Sequence, residues 1–209
     1  NDSAVALQRG YLSAGRYQAG GMSNESYGYV CGGYTGSATV SLVDRLDFTN
    51  DTGTMVAKGP LNSTIPGGSG TGNNSYGWFS GGQAVSRLDY SSDTSTTSPK
   101  GNLAVNYGSY LGSTGTKSYG YFMGGSPSDT TVSRIDFSND SPTATAKGPL
   151  SVAVRWVQEA AISSKENGIP VIGYGGYYES SDLGRVEGPA GNPYGYFAGG
   201  SVPGSPGNT

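Results

Sequence analysis

Histidine is absent from this chain of 209 residues, and cysteine occurs only once, at Cys31. Without histidine, the chain lacks the commonest general base and the commonest ligand for transition metals in proteins. That absence weighs strongly against enzymes that use a Ser-His-Asp triad and against zinc sites. A single cysteine excludes an internal disulfide framework, so the redox compartment stays open. We therefore expect a protein that is not an enzyme, with no catalytic residues, no metal site and no cofactor.

Charged residues make up only 13% of the chain, and the formal net charge is -3. The Lys and Arg residues are dispersed, so no basic stripe exists that would bind a phosphate backbone. The sequence has no run of about 20 apolar residues, the length that a membrane-spanning helix needs. We therefore expect neither nucleic-acid binding nor membrane insertion. The absence of an initiating methionine indicates a mature or trimmed product, or a piece of a longer protein.

Glycine, with 37 residues, and tyrosine, with 16, are abundant instead, and both recur within three sequence markers that repeat in fixed order. The first marker is a Tyr-Gly-aromatic run closed by a glycine pair, at 27–33, 76–82, 119–125 and 194–200, with a shorter copy ending at Gly175 and Gly176. The second is Val-x-Arg-aliphatic-Asp-aromatic, at 43–48, 85–90 and 132–137, with a degenerate copy around Arg185. The third is basic-Gly-x-Leu, at 9–12, 58–61, 100–103 and 147–150.

Each repeated unit consists of strand-length runs bounded by Gly, Pro, Asn, Asp and Ser, which is typical of a β-meander. One such unit cannot bury both of its faces, so the units must stack, as propeller blades do. A β-sandwich also uses short strands, but it does not need every hairpin to share one sequence. We therefore predict an all-β fold in a single domain, 1–209, whose repeat phases are approximately 1–49, 50–91, 92–138, 139–187 and a partial 188–209.

The Gly-Gly strand end, the Asp-bearing turn and the Lys-Gly-Pro-Leu corner together resemble the Kelch repeat over nearly the whole chain. In YGYF-x-GG, VSRIDFSND and KGPLS, the chain is most similar to Kelch-like repeats of phage tail fibre and virion proteins, especially those of phages that infect cyanobacteria. It departs from the intracellular pattern, because Thr54, Thr96 and Thr143 or their neighbours stand in the region where that pattern has a tryptophan.

This resemblance implies a β-propeller of four to five four-stranded blades, closed by N- and C-terminal strands. The phase of the repeats suits a ring in which residues 4–8 complete the blade that 194–200 begins. An excised segment of a larger ring, or a ring completed by another chain, fits the same repeats. The resemblance implies a binding or structural role and does not identify a ligand.

Each Arg strand carries an aspartate two residues after its arginine, on the same strand face. The pairs are Arg45 with Asp47, Arg87 with Asp89, and Arg134 with Asp136. These pairs could clamp a carboxylate or a sugar, but an ion pair between neighbouring units is favoured, because a residue recurring in every unit usually serves packing. Carboxylates four residues apart, such as those of Asp136 and Asp140, could contribute to a calcium site, although calcium usually takes six or more oxygens. Turn formation is the default interpretation.

The repeat pattern is weakest from 155 to 182, and the candidate binding residues lie there: Trp156, Tyr174, Tyr177 and Tyr178. Departures from a repeat are where a scaffold tends to carry individual function, and exposed aromatic side chains stack on sugars or anchor protein contacts. A terminal blade whose repeat sequence has degenerated, and which is adapted for ring closure, explains the same irregularity.

The expected function is that of a non-enzymatic binding or structural propeller of a virion. It would be a phage tail fibre, adhesin or decoration protein, present in many copies on an extracellular particle. Its expected partners are other virion proteins, or a glycan or protein of the host surface. The alternatives are a stand-alone extracellular carbohydrate-binding lectin and a glycan-processing enzyme, since paired carboxylates can act as general acid and base.

Overall fold

The computed structural model of the protein describes residues 10–154, together with the backbone of Ala161–Ile162 and Tyr196–Phe197. Regular structure in this part of the chain is almost entirely strand, which confirms the predicted all-β class. The exception is one 3-10 turn, Tyr90–Ser92. Three four-stranded antiparallel sheets follow one another along the chain, and each is a meander of consecutive strands. These residues do not by themselves form a closed ring.

The strand bounds show that the three sheets are copies of one another. Sheet 1 contains β1 Gly20–Ser23, β2 Tyr27–Cys31, β3 Val43–Asp47 and β4 Val56–Ala57. Sheet 2 contains β5 Ser69–Gly72, β6 Tyr76–Ser80, β7 Val85–Asp89 and β8 Ser98–Lys100. Sheet 3 contains β9 Ser109–Gly115, β10 Tyr119–Ser126, β11 Val132–Asp136 and β12 Thr145–Lys147. A further antiparallel pair joins β13 Ala161–Ile162 to β14 Tyr196–Phe197.

Each sheet crosses a boundary between two of the predicted repeat phases. Sheet 1 spans 20–57, sheet 2 spans 69–100 and sheet 3 spans 109–147, whereas the phases change after residues 49, 91 and 138. The outermost strand of each sheet therefore comes from the beginning of the next sequence repeat. Consecutive repeats are tied together by strand pairing as well as by packing.

The register between the second and third strands is the same in all three sheets. It pairs Tyr29 with Arg45, Trp78 with Arg87 and Tyr121 with Arg134. Each arginine also covers the ring of the first tyrosine of the preceding strand, with its guanidinium carbon 4.2 to 4.4 Å from the ring centroid. Such cation–π contacts hold the arginines against their own sheets.

The apolar cores lie between successive sheets. One cluster joins sheet 1 to sheet 2 and contains Met22, Tyr29, Cys31, Val43, Leu61, Ile65, Phe79 and Leu88. The other joins sheet 2 to sheet 3 and contains Trp78, Val85, Leu103, Tyr107, Leu111, Phe122, Ile135 and Ala144. The first strands lie side by side, because β1 contacts β5, β5 contacts β9, and β9 contacts β13. Each sheet therefore buries a face that it could not bury alone.

Candidate functional site

A single aspartate of sheet 2, Asp93, binds three side chains of sheet 1. Its carboxylate accepts from Arg45 at 2.7 Å and from the Tyr29 hydroxyl at 3.1 Å, and it lies 3.1 Å from the Lys58 ammonium. Burial is the main cause that raises the pKa of the Tyr29 hydroxyl, and the adjacent Asp93 carboxylate raises it further. The hydroxyl therefore stays protonated and donates. We call an Arg, a Lys and an aromatic side chain arranged in this way a carboxylate socket.

Sheet 2 carries a second carboxylate socket, which is filled by Asp140 of sheet 3. Arg87 lies 3.0 Å and Lys100 lies 3.3 Å from the Asp140 carboxylate, and the indole Nε1 of Trp78 donates to it at 2.8 Å. The Asp93 and Asp140 side chains are only 7% and 6% exposed. A buried carboxylate needs this number of charged and polar partners to offset its lost hydration. The sockets are therefore joints between sheets.

Backbone hydrogen bonds reinforce each joint through the basic-Gly-x-Leu marker. Gly59 N–H donates to the Asp93 carbonyl at 2.8 Å, and Gly101 N–H donates to the Asp140 carbonyl at 2.9 Å. A Cβ added to Gly101 would lie 1.9 Å from the carbonyl oxygen of Pro142. Only glycine permits so close an approach of two backbones, which explains its place in the marker.

The aspartates two residues after each arginine are not the partners in these joints. Asp47, Asp89 and Asp136 instead accept from the backbone N–H and the hydroxyl of the residue two positions later, at 2.6 to 2.9 Å. Hydrogen bonds from Thr49 lower the pKa of Asp47, and hydrogen bonds from Ser138 lower that of Asp136. The expectation of an ion pair between neighbouring units holds, but the carboxylates are those of Asp93 and Asp140.

The suggestion of calcium ligands at the turns finds no support in the described geometry. Asp136 is engaged in its own turn, and Asp140 is held by two cations and an indole. Within residues 10–154, no three His, Cys, Asp or Glu side chains lie together where they could hold a metal ion. The same stretch holds no helix that is both long and apolar enough to span a bilayer.

Sequence reasoning missed a buried ion pair that occurs in sheet 1. Arg16 lies 2.8 Å from Asp44, both side chains are fully buried, and Ser13 donates to the same carboxylate through its N–H and its hydroxyl. Ser86 and Ser133 occupy the equivalent position in the other two sheets. The sequence signal for this ion pair was an aspartate in one repeat at a position where the other two repeats have serine.

Cys31 has the environment of a structural residue. Its side chain is fully buried, and this burial raises the pKa of its thiol. A neutral, inaccessible thiol does not act as a nucleophile. We expect a thiol-specific chromogenic reagent to leave Cys31 almost unmodified in the folded protein and to react with one thiol per chain in denaturant. Rapid stoichiometric reaction of the folded protein would contradict this assignment.

The backbone is strained where the three sheets meet at the start of their first strands. Gln18 and Tyr110 are non-glycine residues with left-handed φ of 57° and 62°, and Gly67, at the equivalent position in sheet 2, has φ 60°. Hydrogen bonds link the three, because Gly67 N–H donates to the Gln18 carbonyl and Tyr110 N–H donates to the Gly67 carbonyl. The Gln18 amide also donates to the Tyr110 hydroxyl at 2.8 Å. Strain held in place by its surroundings motivates a hypothesis of function.

Two further tyrosines lie beside this position. Tyr17 is half exposed, and its ring meets that of Tyr34 edge to face with centroids 5.4 Å apart. We name Tyr17, Gln18, Tyr34 and Tyr110 the tyrosine–glutamine cluster. It combines aromatic surface with amide and hydroxyl groups, which suits a polar ligand such as a sugar or a polar protein surface.

A shallow polar cleft lies between the turns of sheets 1 and 2. Its volume is about 390 Å³, and its lining includes Asn24, Asn74, Tyr76, Asp89 and Ser91. The asparagine oxygens in this region serve the turns themselves, as Asn24 accepts from the backbone N–H groups of Ser26 and Tyr27. The cleft is thus a weaker binding candidate than the tyrosine–glutamine cluster, in which the Tyr17 ring is half exposed.

The binding residues predicted from sequence, Trp156, Tyr174, Tyr177 and Tyr178, lie outside the described residues, so their assignment stays a prediction. Comparison of the chain with protein-family models and with curated proteins finds no match.

Proposed function

We propose that the protein is a non-enzymatic binding or structural propeller of the Kelch type, in which the three described sheets act as blades. Support comes from the identical strand order and register of the sheets and from the contact of their first strands. Four repeated cations support a scaffold role, because they are engaged with Asp93 and Asp140 in joints between sheets: Arg45, Lys58, Arg87 and Lys100. Each of these two carboxylates is held by two cations, which does not favour a role as a general acid or base.

The observation that carries the binding role is the tyrosine–glutamine cluster. The Gln18 amide and the Tyr110 ring stand at strained positions that hydrogen bonds between the sheets hold in place, and a preorganised aromatic surface binds with little loss of side-chain entropy. We infer a ligand on a host surface, either a glycan or a protein, contacted by many copies on a virion as a tail fibre, adhesin or decoration protein. The weak contact of one copy would then be multiplied by the others.

A glycan array followed by release assays tests this function. We expect binding of surface glycans without cleavage, and we expect Tyr17→Ser to weaken binding by at least about tenfold, the size of effect typical of an interface hot spot. Val56→Ser is the matched control, because Val56 is also about half exposed but lies on the outermost strand of sheet 1. Cleavage of a glycan would overturn the non-enzymatic assignment, and equal effects of the two variants would overturn the cluster.

A stand-alone extracellular lectin is the second candidate, because the same cluster suits a sugar without any particle. Glycan binding by a protein that does not co-sediment with virions would favour the lectin. Stable association with purified phage particles would favour the virion role.

A further inference from the structure

The end of the sheets that carries the tyrosine–glutamine cluster is almost free of charge. In each sheet this end consists of the residues that lead into the first strand and of the loop that joins the second strand to the third. These ranges are 17–19, 32–42, 66–68, 81–84, 106–108 and 127–131. Within them Asp129 is the one charged residue, and its carboxylate accepts from the Thr131 N–H. The loops at this end therefore offer no cation to a ligand.

The cations and most carboxylates of the described residues are engaged or lie elsewhere. Arg16, which precedes the cluster, is fully buried against Asp44. The paired arginines and lysines of sheets 1 and 2 are held in the carboxylate sockets. In sheet 3, Arg134 lies over the ring of Tyr119, and Lys147 ends the outermost strand. A ligand at the cluster meets neutral groups, and the one carboxylate in the loops at this end would repel an anion.

The side chain of Gln18 is held in one orientation. Its Nε2 donates to the Tyr110 hydroxyl at 2.8 Å, a bond that joins sheet 1 to sheet 3. Gly67 of sheet 2 leaves room for the Tyr110 ring, since a Cβ added there would lie 3.0 Å from it. Because the amide is planar, this bond also fixes the Gln18 carbonyl oxygen, which accepts no hydrogen bond from the part of the chain that the structure describes. That oxygen is an acceptor for a ligand hydroxyl.

Tyr17 supplies the apolar part of the cluster. Backbone hydrogen bonds to Tyr34, at 3.0 and 2.8 Å, and the edge-to-face contact of the two rings hold it in place, and Tyr17 is 50% exposed. Two other exposed apolar side chains of sheet 1, those of Phe48 and Val56, lie beyond its third strand and on its fourth. A single ring beside neutral hydrogen-bonding groups matches the apolar face and hydroxyls of one sugar. A protein interface usually buries about 800 Å² on each partner.

We propose that the tyrosine–glutamine cluster binds an uncharged sugar ring, which stacks on Tyr17 and donates a hydroxyl hydrogen bond to the carbonyl oxygen of Gln18. Tyr110 is a positioning residue, because it fixes the amide of Gln18. This inference rests on the proposed function and narrows its ligand from a glycan or a protein to a neutral sugar. Binding should depend little on salt, because salt screens only interactions between charges.

Paired oligosaccharides test the charge of the ligand. Neutral hexose oligosaccharides are arrayed beside their uronic-acid counterparts, which differ only in a carboxylate at C6. We expect the neutral member to bind at least about tenfold more tightly, and its Kd to change less than about twofold between about 0.05 and 0.5 M NaCl. A preference for uronic acids, or binding that weakens steeply with salt, would overturn the inference and leave the binding function standing. Binding of a host-surface protein but of no glycan would do the same.

Gln18→Met tests the residue assigned to the sugar hydroxyl, because it removes the amide and nearly keeps the shape. It should weaken neutral-sugar binding at least about tenfold. Gln83→Met is the matched control, since Gln83 lies in a loop at the same end but its amide donates to the Leu103 carbonyl. This control should leave the Kd unchanged. Equal Kd values for the two variants would overturn the inference.

Tyr110→Phe gives a second test, because it keeps the ring and removes only the hydroxyl that fixes Gln18. It should weaken neutral-sugar binding about threefold without changing the preference for neutral over acidic sugars. Urea denaturation of each variant shows whether a loss of binding reflects unfolding. An unchanged Kd for well-folded Tyr110→Phe would contradict its positioning role, and an altered preference would contradict the assignment of the neutral class to this cluster.

Discussion

Replacing Asp140 by alanine is expected to lower the free energy of unfolding by about 3 kcal/mol. The change leaves two cations, Arg87 and Lys100, facing each other across a largely buried joint without their shared counter-charge. It also removes the acceptor of the Trp78 indole N–H, which lies on a fully buried side chain. Urea denaturation followed by tryptophan fluorescence measures the loss, because Trp78 reports directly on this joint.

Asp89→Ala is the matched control for Asp140→Ala. Asp89 is also an aspartate of a repeated turn, but it accepts only from the N–H and hydroxyl of Ser91 in an exposed setting. Its loss should cost about 1 kcal/mol, the usual net value of such hydrogen bonds. If Asp140→Ala proves no more destabilising than Asp89→Ala, the socket does not stabilise the fold.

The sheets could be predicted because their determinants are local. Period-two alternation, turn residues and the three markers define each strand. The fourth strand of each sheet ends at the basic residue of the third marker or directly before it, as Val56–Ala57, Ser98–Lys100 and Thr145–Lys147 show. The all-β class follows from these features. The assembly of a full propeller depends on residues beyond those described and stays a proposal.

The partners of the charged side chains could not be predicted from the sequence, because the paired residues lie far apart in the chain. The sequence places Asp47 two residues from Arg45, yet the strand ends at Asp47 and the nearest donors to its carboxylate are those of Thr49. The true partner of Arg45 is Asp93, 48 residues away on the next sheet. Only the packing of one sheet on another brings these two side chains together.

The tyrosine–glutamine cluster could not be predicted for a different reason. Residue type does not reveal a left-handed φ at glutamine or tyrosine, since both residues normally avoid it. The equivalent residue in sheet 2 is a glycine, Gly67, which adopts this conformation without strain. A glycine alternating with large polar residues at one repeat position is the sequence signal that would have indicated it.

The second large effect is expected at the glycine pair that closes each Tyr-Gly-aromatic run. Gly125 has φ 109°, and a Cβ added there would lie 2.4 Å from the Tyr107 carbonyl oxygen. Gly125→Ala therefore combines backbone strain with a clash against a backbone atom that cannot move freely. We expect a loss of about 3 kcal/mol in the free energy of unfolding, measured by urea denaturation.

The equivalent substitution in sheet 2 tests whether the loss of stability at Gly125 comes from its positive φ or from its place in the glycine pair. Gly82 is the same member of its glycine pair, but its φ is not left-handed, and the nearest atom to an added Cβ is the Gly108 carbonyl oxygen at 3.2 Å. Gly82→Ala should therefore cost less than about 1 kcal/mol, because a small shift relieves the contact. Equal losses for the two variants would mean that the marker acts through something common to both sheets, and that the positive φ of Gly125 is not the reason for glycine at that position.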